Sequence, residues 1–103
     1  MNKYNAVGLK TEDGFFHSKA EFARWRELKL LEKQGNIKRL RRQVKYPLHS
    51  RGGTKIGSLV IDFDYFEGRV HVLEDKKGFM TALAKWKLRH LQGEYKRHVV
   101  RVT

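Results

Sequence analysis

The chain has 103 residues, with 23 Lys and Arg against 11 Asp and Glu, a formal charge of +12 and no cysteine. That length bounds one domain with a modest core. The missing cysteines exclude a disulfide framework and thiolate metal sites, and a 40% hydrophobic content argues against a disordered basic tail. The charge points to a polyanion, with nucleic acid first. The run Leu59 to Ile61 is far too short to span a bilayer, and Met1 to Lys10 has no apolar signal core. A cytoplasmic protein without a membrane partner is therefore expected.

Residues 1–17 mix Asn, Gly, Lys and Thr around Asp13-Gly14, so a less ordered arm is expected, pinned by Phe15 and Phe16. Ser18-Lys19-Ala20-Glu21 has the spacing of a capping box, and Gly35-Asn36 ends the helix it opens. Ala20, Phe22, Trp25, Leu28 and Leu31 form one arc of that helix, and Glu21 falls inside the arc. In Ile37 to Leu48, Val44, Tyr46 and Leu48 alternate with Gln43, Lys45 and Pro47, as in a half-exposed strand with Pro near an end or edge. Ser50 to Thr54 is a basic loop without the Gly-Lys-Ser/Thr of a P-loop.

Ile56 to Phe66 and Arg69 to Lys77 read as strands joined by the tight turn Glu67-Gly68, an antiparallel hairpin. Phe79 to Gln92 reads as a second helix closed by Gly93. Its expected apolar face is Met80, Leu83, Ala84 and Leu91, with Lys87 projecting from the middle. His98 to Val102 is a last strand. The order read is α-β-β-β-α-β, an α/β single domain over residues 1–103 with a mixed sheet flanked by helices. Trp25 and Trp86 are expected in the core, and their spacing suggests no base-stacking platform.

Period-two alternation puts Val60, Asp62 and Asp64 on one face, and His71, Leu73, Asp75 and Lys77 on one face of the next strand. Asp is disfavoured in strands, and acids weaken affinity for phosphates, so an acid pair on adjacent strands of a basic chain suggests chemistry. Mg²⁺ is usually held by one or two carboxylates plus waters and phosphate oxygens, which Asp62 and Asp75 would supply. Lys77 would then orient the attacking water or neutralise charge on the phosphate. The bland alternatives are solvated strand residues for the two acids and a cap partner of Ser18 for Glu21. For Lys87 the alternative is a snorkelling side chain. Asp64 is a second acid that could substitute, and His71 could line the site. The five histidines form no metal motif.

An acid on the second strand and acid-x-Lys on the third resemble the signature of the PD-(D/E)XK nuclease superfamily, whose core also runs α-β-β-β-α-β. The resemblance implies a restriction-endonuclease-like fold, Mg²⁺ or Mn²⁺ as cofactor, and Asp62, Asp75 and Glu21 as metal ligands with Lys77 catalytic. A basic or polar residue on the second helix, Lys87 or Lys85, would assist. Phe16-His17-Ser18-Lys19-Ala20-Glu21, Glu27 to Leu31, Gly35-Asn36-Ile37 leading to Gln43, Ile61-Asp62-Phe63 and Glu74-Asp75-Lys76-Lys77-Gly78 resemble small phage-borne nuclease-like proteins. Ile61 stands where the superfamily's name places Pro. Lys76 stands where an apolar residue is usual, which opens a second register, Glu74-x-Lys76. Asp75-x-Lys77 is preferred because the lysine there directly precedes Gly78.

Lys38, Arg39, Arg41 and Arg42 form a basic cluster expected to contact phosphates, as are Arg51, Lys55, Lys85, Lys96, Arg97 and Arg101. No base-reading module is present, so shape and backbone recognition are expected. The resemblance implies an endonuclease for branched DNA such as Holliday junctions, acting as a homodimer in phage DNA processing. The alternatives are a nicking or single-strand endonuclease of the same fold, and a non-catalytic basic DNA-binding protein on that scaffold.

Overall fold

The computed structural model describes residues 8–76 and 81–103. Met1 to Val7, and Lys77, Gly78, Phe79 and Met80, lie outside the described residues. The elements are β1 (Leu9–Thr11), β2 (Gly14–Phe16), α1 (Lys19–Lys33), β3 (Lys38–His49), β4 (Lys55–Glu67), β5 (Val70–Asp75), α2 (Ala82–Glu94) and β6 (His98–Val102).

The short hairpin β1–β2 replaces the expected loose arm over these residues. Leu9 pairs with Phe16 across it, and the turn between its strands ends on Gly14, whose φ of +111° is inaccessible to most side chains. Asp13 ties the turn to α1 by accepting hydrogen bonds from Trp25 Nε1 and Lys29 Nζ. Of the two phenylalanines expected to pin the hairpin, Phe16 packs against Phe22 and Trp25, whereas Phe15 is half exposed.

Helix α1 starts where the sequence indicates. Ser18 Oγ accepts from Glu21 N, satisfying one orphan amide. It stops at Gly35, left-handed at φ +85°. There Asn36 N reaches back to Leu31 O, a Schellman closure. Ala20 is exposed, so the buried stripe is narrower than expected. Helix α2 is capped by Thr81, whose hydroxyl accepts from Ala84 N. It runs through Gly93, and it buries Leu88 and Leu91 rather than Leu83. Trp86, expected in the core, is 48% exposed and stacks on His90. No helix among the described residues is long and apolar enough to cross a membrane.

The main sheet has the order β3-β4-β5-β6, antiparallel except for the parallel pair β5/β6. That parallel pair needs a crossover, which α2 supplies. One face packs α1 through Leu28, Ile37, Phe63, Tyr65 and Val72. The other packs α2 through Tyr46, Leu48, Ile61, Leu73, Leu88 and Leu91. The domain is thus a compact α/β fold with a mixed sheet between two helices.

The regular alternation breaks at one level of β3 and β4. Phe63 joins the α1 core and Ile61 the α2 core, although they are two residues apart. Across the ladder, Arg42 stacks on Phe16 beside α1 while Val44 packs toward α2. Gln43, between them, holds a left-handed φ of +55°. Such a conformation is costly for a side-chain-bearing residue and concentrates at functional sites. It sits level with Asp62, bracketed by the pairs Arg42/Phe63 and Val44/Ile61.

Candidate functional site

The break in alternation gathers three carboxylates. From α1, Glu21 is 4% exposed. One of its oxygens accepts from His17 N at 3.3 Å and the other from Gln43 Nε2 at 3.2 Å. It therefore completes only half of the expected capping box. Its own amide is capped by Ser18, but its carboxylate turns toward β3. The same Gln43 amide donates to Asp62 Oδ1 at 3.2 Å. The other oxygen of Asp62 accepts from Lys76 N at 2.9 Å, and its backbone N donates to Asp75 Oδ1 at 3.2 Å. Glu21, Asp62 and fully buried Asp75 are thus linked through Gln43 and the β4–β5 backbone.

This crowding has an electrostatic signature. Burial pushes the Asp62 carboxyl up to about 7, helped by the charge of Asp75 and, more weakly, of Glu21, against the lowering effect of the Lys76 amide. An acid raised this far by burial and like charges is a common mark of a functional site. A divalent cation would relieve both causes, and the all-oxygen donor set suits Mg²⁺ or Mn²⁺. The cage is not preformed: among the described residues, no three His, Asp or Glu side chains stand grouped for metal binding. The Gln43 amide bridges Glu21 and Asp62 instead.

Several expected members lie elsewhere. Glu74 turns toward α1, where Arg24 grips it with two nitrogens at 2.6 and 3.0 Å and Tyr65 donates to it at 2.7 Å. Burial alone would raise its pKa, but Arg24 and Tyr65 outweigh that and hold it below the usual range. Both Glu74 oxygens are committed, so Asp75 is the acid beside Asp62. Lys77 lies outside the described residues. Asp64 does not share Asp62's surroundings, because the break in alternation separates them. It is fully buried, accepting from Tyr46 Oη and pairing with His71 Nε2 at 2.6 Å and Arg41 at 3.1 Å. His71 accordingly belongs to the Asp64 cluster and not to the acid site. Lys85 is exposed and Lys87 half-buried on α2, with no hydrogen bond to Glu21 or Asp62.

Of the expected phosphate contacts, Lys38, Arg39, Arg51 and Lys55 are exposed. Arg41 is anchored on Asp64. Arg42 is turned inward: it stacks on Phe16 at 3.8 Å, donates to Phe15 O and lies 3.8 Å from Glu21. Its role is to join the hairpin to the sheet and to neutralise part of the acid cluster. Arg101 pairs with Glu67 at 3.0 Å. Sequence reasoning assigned Gln43 no role, since only its left-handed backbone and its position between two acids single it out. Arg24 as the partner of Glu74 was equally invisible, fifty residues away in sequence.

A small α/β domain with a buried acid cluster at a break in its central sheet is the class these features define. The chain belongs to the family described as "Protein of unknown function (DUF1064)", which it matches over residues 1–103. No curated protein and no solved structure matches it.

Proposed function

We propose that this protein is a metal-dependent DNA endonuclease of the PD-(D/E)XK type, acting on branched DNA. The observation that carries the reading is the Glu21–Gln43–Asp62–Asp75 cluster, in which three acids crowd together inside a chain of net charge +12. A protein that binds phosphates gains nothing from such a cluster unless a cation occupies it. Glu21, Asp62 and Asp75 would hold Mg²⁺ or Mn²⁺. When bound, the cation would acidify a water and neutralise charge developing on the scissile phosphate. Asp75 fixes the Asp62 backbone, and the Lys76 amide fixes the Asp62 carboxylate. Gln43 holds Glu21 and Asp62 in register. Lys77, two residues after Asp75, is the proposed catalytic lysine on the strength of the acid-x-Lys pattern alone. Branch selectivity and action as a homodimer follow from the resemblance. The lack of a base-reading module is in keeping with both.

A second reading is favoured by the Gln43 bridge itself. If the amide permanently takes the place of a cation, the protein is a DNA-binding scaffold without chemistry. Cleavage of a labelled four-way junction, linear duplex and single strand, with Mg²⁺, Mn²⁺ or EDTA, separates the two. The nuclease reading predicts metal-dependent, symmetric cuts near the branch that vanish in Asp75→Ala. Tight binding without cleavage of any substrate in either metal would leave the scaffold reading.

A further inference from the structure

The start of β3 carries a second strained feature that the acid cluster does not use. Between Lys38 and Arg41 the ladder with β4 gains one residue, a bulge, and Arg39 within it is left-handed at φ +56°. Bulges re-aim side chains, and a non-glycine residue in this region is an outlier that points toward function. Here the bulge turns Arg39 over the Phe66 ring at 5.9 Å. It also leaves Arg41 where buried Asp64 takes one of its terminal nitrogens at 3.1 Å.

These residues line two adjoining cavities of about 510 and 320 Å³, which share Arg39 and Phe66. Lys38 and Gly68 complete the smaller, Leu40, Arg41 and His71 the larger. No acidic side chain lines either one. Asp64 lies beneath with no exposed surface, its charge met by Tyr46, His71 and Arg41. Burying that carboxylate is costly unless it is fully bonded. What it supplies is an ion-pair partner for one end of the exposed Arg41 guanidinium, whose other donors bond nothing among the described residues. A planar fork with donors left over in this way suits a tetrahedral oxyanion. Asp62 is four strand residues from Phe66, about 13 Å, so this groove and the acid cluster are separate places on one sheet.

We propose that the groove over the β3 bulge is a phosphate-binding site, in which Lys38, Arg39 and Arg41 grip a phosphate of the DNA backbone away from the acid cluster. The anion chemistry stands on the groove itself; the choice of DNA as its source rests on the function proposed above. The first test is titration of the full chain with inorganic phosphate, in EDTA and at constant ionic strength, followed by NMR at the backbone amides and the arginine Nε–H groups. Saturable shifts confined to Arg39, Arg41 and neighbouring Lys38 are expected. They should be lost in an Arg39→Gln/Arg41→Gln variant whose remaining spectrum is native. Shifts that never saturate, or that spread over the whole cationic surface, overturn the site.

The second arm is DNA binding in EDTA as a function of salt. Each phosphate contact removed lowers the slope of log affinity against log salt by about one, so the double variant should lose about two. If phosphate saturates the groove but the slope is unchanged, the anion site stands and its assignment to DNA falls. Neither arm reads cleavage, so both outcomes are independent of whether the acid cluster is catalytic.

Discussion

Asp62→Asn should stabilise the protein at pH 8 and leave its stability unchanged at pH 4. In the folded state the Asp62 carboxyl titrates at about 7, against 3.8 in the absence of the fold. Between those values the folded chain holds a proton that the unfolded chain has released. Stability therefore falls as pH rises through this window, and the loss is complete above it. A tenfold change in proton affinity is worth about 1.4 kcal/mol, so the ionised folded state carries a penalty on the order of 4 kcal/mol. Asn mimics the protonated acid and escapes that penalty, but it must give up its hydrogen bond from Gln43 or turn the Gln43 amide, at about 1 kcal/mol. The expected gain is about 3 kcal/mol at pH 8, or a rise in Tm on the order of 10 °C, shrinking to nothing near pH 4. Thermal unfolding in EDTA from pH 4 to 9 measures it. Adding Mg²⁺ at pH 8 should stabilise the wild type and not the variant, closing the gap by mass action. A destabilised variant at pH 8, or a difference that ignores pH, would refute the argument that crowded charge at Asp62 strains the fold.

Other outcomes follow from the same contacts. Arg24→Ala leaves the Glu74 carboxylate buried without its main partner, and should cost about 3–5 kcal/mol in denaturant unfolding near neutral pH. Because Glu74 is held below its ordinary 4.5, its contribution is present above that pH and should fade as acid protonates it, so the variant and wild type converge at low pH. Gln43→Ala should lower stability by about 1–2 kcal/mol in EDTA and by less in Mg²⁺, since a cation would do the amide's work between Glu21 and Asp62; equal losses in both media would contradict that. Trp86→Ala, by contrast, should shift stability by less than about 0.5 kcal/mol, because the ring lies on the surface.

Local signals carried much of the architecture. The Ser18 cap, the Gly35 stop and the alternation of Tyr46 and Leu48 are decided by neighbours in sequence and lie where the residues indicated, while the β4–β5 turn falls one residue later than expected, on Gly68-Arg69, because Glu67 pairs with Val70. The β1–β2 hairpin escaped because its strands are three residues each and take their stability from Phe16 and Asp13 packing on α1. In α2 the pattern placed Leu83 inward, but the two buried leucines set the helix's rotation, and Leu83 and Trp86 face outward.

The acids of the candidate site were legible as residue types and strand positions: Gln43 links Glu21 to Asp62, and Asp75 accepts from the Asp62 backbone. What period-two reasoning could not supply was the switch of faces at Gln43 and Asp62. It therefore grouped Asp64 with Asp62, whereas the fold buries Asp64 with Tyr46, His71 and Arg41. Nor could it assign Arg42, which reads as one more phosphate contact in a basic run yet packs on Phe16. Both depend on backbone torsions at single residues, which composition does not reveal.

The central claim is that Glu21, Asp62 and Asp75 together hold a divalent cation. Mn²⁺ titration followed by electron paramagnetic resonance tests it most directly, with wild type beside Glu21→Gln, Asp62→Asn, Asp75→Asn and, as a folded control, Trp86→Ala. Saturable binding by wild type and the control, weakened at least about tenfold by each of the three acid substitutions, is the predicted result. Binding that none of the three substitutions alters, or no binding by the wild-type protein, would contradict it.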